Sequence, residues 1–497
     1  MSIDKRVHAF HFTKWLGAAF AAILCGVWLP ASAQTITLSP ASDHPGATDK
    51  VSGSGFSAAE AVDIYFDTTE ILLAVTDPTG KIAWHDWSVP AAALPGQHWI
   101  TAVGRKTGDA AQRSFTVQTD WTQMGYGARG KRVNPYENVL NTGNVASLDN
   151  AWTAAIGSDP QSSAAVVNGV AYVGSDDHKL YAFDALTGAL KWSATTGNVI
   201  NSSPAVAQGN VYVGSEDGKL YAFNAATGAQ VWSATTGSLI VSSPVVANGV
   251  VYIGSYDDKL YAYNATTGAL LWSATTGSAI GGPASVANGT VYIGSDDGKL
   301  YAYNASTGAL QWSFATGGYV VTCPAVVNGV VYIGSDNGKV YALNAAIGVQ
   351  KWSATTGGPV HSSPSVVKGV VYIGSVDSKL YAYNAQSGAL VWSVVTGDVI
   401  NASPAVANGV AYIGSEDGVI YAYNASNGAS LWSATTGDYI IASPTVADGM
   451  VYVTSADGKL YAYALNAGNN AVYKHRTTEP PSFATLHPDF RLKPAAP

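Results

Sequence analysis

The chain has 497 residues, of which 53 are glycine and only 12% are charged, and its formal net charge is -8; it is therefore globular, turn-rich and mildly acidic. Nucleic-acid binding is excluded, because phosphate neutralisation needs clustered cations. The lysines at Lys179, Lys219, Lys259, Lys299, Lys339, Lys379 and Lys459 stand 40 or 80 residues apart, each at an Asp- or Asn-bearing turn, and read as solvating charges at hairpin ends.

In chain order, Lys5, Arg6 and Lys14 precede the apolar run "WLGAAFAAILCGVWLP" and then "ASAQ". A basic region, a short hydrophobic core and a small-x-small site make residues 1-33 a signal peptide cut after Ala33, with no transmembrane segment remaining after cleavage. Cys25 follows Leu24 rather than a small residue, which argues against a lipid anchor. Cys323 is then the only mature cysteine, so no internal disulfide forms, and burial as a small apolar side chain explains it.

Residues 34-119 show short alternating strands between Gly, Pro and Asp turns and predict a small β-sandwich. "GSGF" at Gly53 to Phe56, "VDIYFD" at Val62 to Asp67, "VPAAALPGQHWITAVG" at Val89 to Gly104 and "SFTV" at Ser114 to Val117 resemble bacterial immunoglobulin-like surface modules. That resemblance implies a fold and says nearly nothing of function. A connector at 120-151 follows.

Tryptophan then recurs at a constant step of 40: Trp152, Trp192, Trp232, Trp272, Trp312, Trp352, Trp392 and Trp432. Such a period marks an array of supersecondary units. Within one unit, Asn248-Gly249 separates two valine-rich runs, Asp257-Asp258 follows "VVYIGS", and Thr267-Gly268 follows "KLYAYN". Asn-Gly between alternating apolar runs signals a type I′ hairpin, since both central residues need positive φ. Three turns give four antiparallel strands, so the all-β array predicts an eight-bladed β-propeller over 152-471. The Trp-bearing strand of the last unit is missing, and "NAWTAAIG" around Trp152 is expected to pair with the strand at Lys459 to Ala464 and close the ring; 472-497 is a C-terminal tail. The eight Trp residues read as packing between blades, and the Asp-rich turns as turns, since one Asp pair offers too few oxygens for calcium.

"NGTVYIGSDDGKLYAYNASTGALQW", Asn288 to Trp312, and its copies resemble the repeat of the pyrroloquinoline-quinone (PQQ) propeller superfamily. Its members include quinoprotein dehydrogenases and an assembly factor of the outer-membrane barrel-insertion machine. The segment Asp120 to Trp152 resembles the lead-in to the first blade of many of them. For the dehydrogenases the resemblance implies PQQ, an adjacent Cys pair, calcium and a catalytic Asp. This chain has one mature Cys, essentially no insertions, and no repeat with two acids at its inner strand; His361 and His178 are the only repeat histidines, with no Ser singled out beside either. No catalytic residue, metal site or cofactor is expected, PQQ with calcium belonging only to the dehydrogenase alternative.

Function is sought where the copies disagree. Nine residues past each Trp stand Gln161, Asn201, Val241, Gly281, Val321, His361, Asn401 and Ile441; Asp159, Tyr319 and Tyr439 lie two earlier, and Asp398 and Asp438 one before that register. The turn after "GS" varies too, through Glu216 and Tyr256 among others. With strands running up and down, both variable spots emerge on one rim, opposite the uniform Asn-Gly and Thr-Gly turns. The expected protein is an exported, non-catalytic propeller that binds an envelope protein or small ligand at the mouth of its central channel. Alternatives are a PQQ-dependent dehydrogenase and an accessory of outer-membrane protein assembly.

Overall fold

The computed structural model describes residues 33-157, 160-465, 480-482 and 486; the signal segment, Asp159 and most of the tail lie outside the described residues.

The N-terminal part is built from two sheets. One orders Thr35–Ser39, Thr48–Ser54 and Ile82–Ser88; the other orders Ser42–Asp43, Ala110–Val117, Gly96–Gly104, Ala61–Phe66 and Thr69–Val75. Alternation sends Val51, Ile64, Ile100, Phe115 and Trp87 into a shared core.

From Leu148 onward the described residues form eight sheets, each with four repeat strands. The third unit is typical: Val245–Ala247, Val250–Ser255, Lys259–Asn264 and Leu270–Thr275 pair antiparallel in sequence order. Its first turn takes φ 50° at Asn248 and 77° at Gly249, the conformation expected of Asn-Gly. In the third turn the Asn264 side chain accepts the Thr266 and Thr267 N–H groups at 3.0 and 2.9 Å. At the second, Asp257 accepts the Tyr261 hydroxyl at 2.5 Å and the Gly237 N–H at 2.9 Å, tying the turn to the link from the preceding sheet. These acids are committed to turn geometry.

Adjacent sheets lock through the tryptophans. Trp272 Nε1 and the Tyr252 hydroxyl both donate to the Ala305 carbonyl of the next unit, at 3.0 and 3.1 Å, and the Trp272 ring lies under the Gly308 turn. Seven of the eight Trp donate to the carbonyl 33 residues on; Trp432 reaches Leu148 instead. The tryptophans are therefore packing between sheets, each burying ring surface worth about 3 kcal/mol.

The ring is closed twice over. Leu148–Ala155 pairs antiparallel with Lys459–Leu465, with Thr153 opposite Tyr461, so the two ends of the repeat region share one sheet. Near the axis, Ser163, Ser203 and Ser363 each use their N–H to bond the hydroxyl of the residue 40 further on; Cys323 and Ser403 do the same, and Ser443 returns to Ser163 at 2.9 Å. The chain of bonds is interrupted only where Pro283 has neither group to offer.

The connector is a structural part of the propeller. Residues 121-134 wind around the inner strands and meet every sheet in turn. Val166, Val206, Val286, Val326, Val366 and Val406 donate their N–H to the carbonyls of Trp121, Thr122, Ala128, Arg129, Lys131 and Arg132. Val246 donates to the Gln123 side chain, and the Val446 carbonyl accepts from Asn134 Nδ2. Eight inner edges that would otherwise present bare backbone are thus satisfied by one segment. Val133–Asn134 is even a fifth, parallel strand beside Ala405–Ala407. Arg132 is fully buried at the centre, its guanidinium over Trp121 and bonded to the Met124, Pro404 and Pro444 carbonyls. The thiol of Cys323 packs beneath Gly130, and burial pushes it up to about 12.

Candidate functional site

The links entering the first strand of each sheet bring one residue per repeat to the axis. There Gln161, Asn201, Val241, Gly281, Val321, His361, Asn401 and Ile441 line a cavity of about 230 Å³. Met124 of the connector also lines it.

Around this inner ring the "GS" turns supply an outer one. Asn201 Nδ2 donates to Glu216 Oε1 at 2.9 Å, and Asn401 Nδ2 donates to Glu416. His361 bridges two repeats, with Nδ1 2.8 Å from Asn401 Oδ1 and Nε2 3.0 Å from Asp336 Oδ1. Tyr256 reaches over Gly281, and its hydroxyl is pushed up by burial and then by Asp296 and Glu216. Asp296 is itself raised, by burial first and next by the charge of Asp336. The mouth is thus an amide and imidazole ring inside an acidic collar. The Asn201 amide oxygen is buried there with no hydrogen-bond partner among the described residues.

The structure does not bring all the predicted residues to this cavity. Tyr319 is 55% exposed and does not line it. Asp398 and Asp438 are exposed and accept the N–H of the residue that follows each, Val399 and Tyr439, both at 2.8 Å. Tyr439 is half-buried outside the lining. Met124, Arg132 and Trp121 were missed because the connector has no second copy against which a departure would register; its glycines at 125, 127 and 130 were the only local signal.

The residues of the mouth do not fit a quinone cofactor with calcium. PQQ carries three carboxylates and calls for cations, whereas the cavity lining offers one imidazole and no Lys or Arg. Its 230 Å³ also falls below the ~300 Å³ at which small-molecule pockets begin. Among the described residues, no group of three or more His, Cys, Asp or Glu is placed to share a metal ion.

Comparison with known proteins places the repeats. Residues 160-370 match the family model described as "Beta-alanine-activating enzyme, beta-propeller", and residues 376-487 the one described as "Outer membrane protein assembly factor BamB". No curated protein sequence matches the chain. Among solved structures, a europium-containing methanol dehydrogenase aligns with TM-score 0.62 at 17% identity, over 70% of this chain and 98% of its own. BamB from Moraxella catarrhalis aligns with TM-score 0.56 at 20% identity, over 64% and 99%. A quinohemoprotein alcohol dehydrogenase from Comamonas testosteroni aligns with TM-score 0.61 at 18% identity, over 73% and 82%. At these identities the likeness is one of fold.

Proposed function

We propose that this chain, a β-propeller of PQQ-like repeats, is an exported, non-catalytic binding or scaffold protein of the cell envelope whose partner docks at the mouth of the central channel. The observation that carries this reading is the inner ring of Asn201, His361 and Asn401. Every described side-chain bond of these three runs to another rim residue, and among the described residues the Asn201 oxygen has no donor. Polar side chains bonded only to one another around the rim and facing a cavity are suited to receiving a ligand's donors and acceptors. The match of residues 376-487 to an assembly-factor family favours a protein partner over a small molecule. Export rests on the basic, apolar and small-residue succession ending at Ala33. Among the described residues, no helix is long and apolar enough to cross a membrane.

The dehydrogenase alternative is tested by incubating the protein with PQQ and calcium, followed by gel filtration, an absorbance spectrum and a dye-linked alcohol oxidation assay. The expected result is no retained quinone and no turnover. Stoichiometric retention with alcohol-dependent dye reduction overturns the non-catalytic reading. Mass spectrometry of the mature protein is expected to begin at Gln34 without lipid, and an acylated Cys25 at the N-terminus contradicts that.

A further inference from the structure

A second cavity lies on the opposite face, where the repeats are most alike. It is a cleft of about 800 Å³ between the outer side of the connector and the first hairpins of four consecutive repeats, at Asn248, Asn288, Asn328 and Lys368. The chain is acidic overall, yet this cleft is lined by Arg129, Lys131 and Lys368 and by no carboxylate. Among the described residues, none of the three cations is engaged in an ion pair or side-chain hydrogen bond, unlike Lys179, Lys219, Lys299, Lys379 and Lys459, each held by its turn aspartate.

Lys368 supplies an independent observation. At its turn position five of the eight repeats carry Asn, the residue best suited to positive φ; Gln208 is neutral, Asp448 is bonded to Thr119, and Lys368 alone brings a cation. Lys368 holds φ 48° with its side chain exposed and no described partner. A strained turn residue that gives up the favoured side chain for a cation, inside a cleft already holding two, points to an anionic ligand.

We propose that this cleft binds an extended acidic peptide segment, its carboxylates taken by Arg129, Lys131 and Lys368. An extended strand turns alternate side chains to opposite sides. One set meets the cations, while the other lies on the apolar lining of Val286, Val327 and Val367. The amides of the turn asparagines, repeated along an arc of successive units, suit the backbone of an extended chain rather than a compact anion. The site is separate from the channel mouth and does not depend on it.

The test is fluorescence anisotropy with a fluorescein-labelled Glu-Val-Glu-Val-Glu-Val peptide at low salt. Saturable binding is expected, weakening as salt rises, and the Gln-Val-Gln-Val-Gln-Val control is expected not to bind. Lys368→Asn restores the repeat's own turn residue and so folds; combined with Arg129→Gln and Lys131→Gln it is expected to weaken binding at least tenfold with the melting temperature of the wild type retained. The Asn201→Ala, His361→Ala, Asn401→Ala variant is expected to bind the peptide normally. The proposal is overturned by undiminished binding in the cleft variant, by equal binding of the Gln peptide, by loss of binding in the mouth variant, or by citrate binding more tightly than the peptide and displacing it.

Discussion

At the scale of single residues, the junction between connector and ring carries a half-buried carboxyl. Asp120 accepts the Asn168 N–H at 3.1 Å, and its carboxyl is pushed up to about 7, chiefly by burial and further by the charge of Asp448, against that bond's lowering effect. A folded value above the unfolded one, for an acid, means that the folded state holds a proton the unfolded state has released. Between about pH 4 and 7 stability therefore falls as pH rises, and above 7 the full penalty stands. Asp120→Asn keeps the acceptor and removes the charge. It is expected to raise the melting temperature at pH 8, leave it nearly unchanged at pH 4, and flatten the slope between; an unchanged slope in thermal scans contradicts the assignment. At Gly268, with φ 71°, an added Cβ would stand 2.7 Å from the Trp232 ring. Gly268→Ala is expected to cost about 2 kcal/mol in urea unfolding through combined strain and overlap. Such positions were legible in the sequence because eight copies reveal which residue a site demands. His361 and Asn201 stood out by the same comparison, whereas Tyr319, Asp398 and Asp438 departed from their register without reaching the cavity, because a strand's alternation fixes the side but not how far inward a link residue lies.

At the scale of elements, the connector determines the character of the molecule. It spends its backbone carbonyls on the inner strands of successive sheets, and Arg132 fixes its course by gathering the Pro404 and Pro444 carbonyls of two successive repeats and the Met124 carbonyl of the connector itself. Replacing that guanidinium strands buried acceptors at about 1–3 kcal/mol each. Arg132→Leu is accordingly expected to lower stability by several kcal/mol, with Arg132→Lys intermediate, as read from denaturant midpoints. A shift below 1 kcal/mol for Arg132→Leu would mean that the connector is not anchored through this residue. The hairpins themselves were readable from turn chemistry alone, as Asn248-Gly249 shows. The path of residues 121-134 was not, because its hydrogen bonds run to strands 45 to 312 residues away and no local pattern encodes them.

For the whole molecule, closure and docking are separable. Deleting Ala151 to Ile156 removes the strand that joins the first and last segments, and is expected to expose a sheet edge and promote aggregation on size-exclusion chromatography. Trimming beyond residue 480 is expected to leave the ring intact, because the described tail residues touch the N-terminal sheets instead: Gln112 donates to the Pro481 carbonyl at 2.9 Å, and Leu486 packs with Tyr65 and Val103. Equal loss of stability in the two truncations contradicts this mode of closure. The most direct measurement is a pull-down from the native envelope, quantified by mass spectrometry, comparing wild type with the Asn201→Ala, His361→Ala, Asn401→Ala variant. A docking site at the mouth predicts that partners enriched by the wild type are lost from the variant while its melting temperature stays within about 2 °C, since these side chains bond only within the rim. Full retention of the same partners by a folded variant, with their loss on removal of residues 34-119, would place recognition in the N-terminal sheets and reduce the propeller to a spacer.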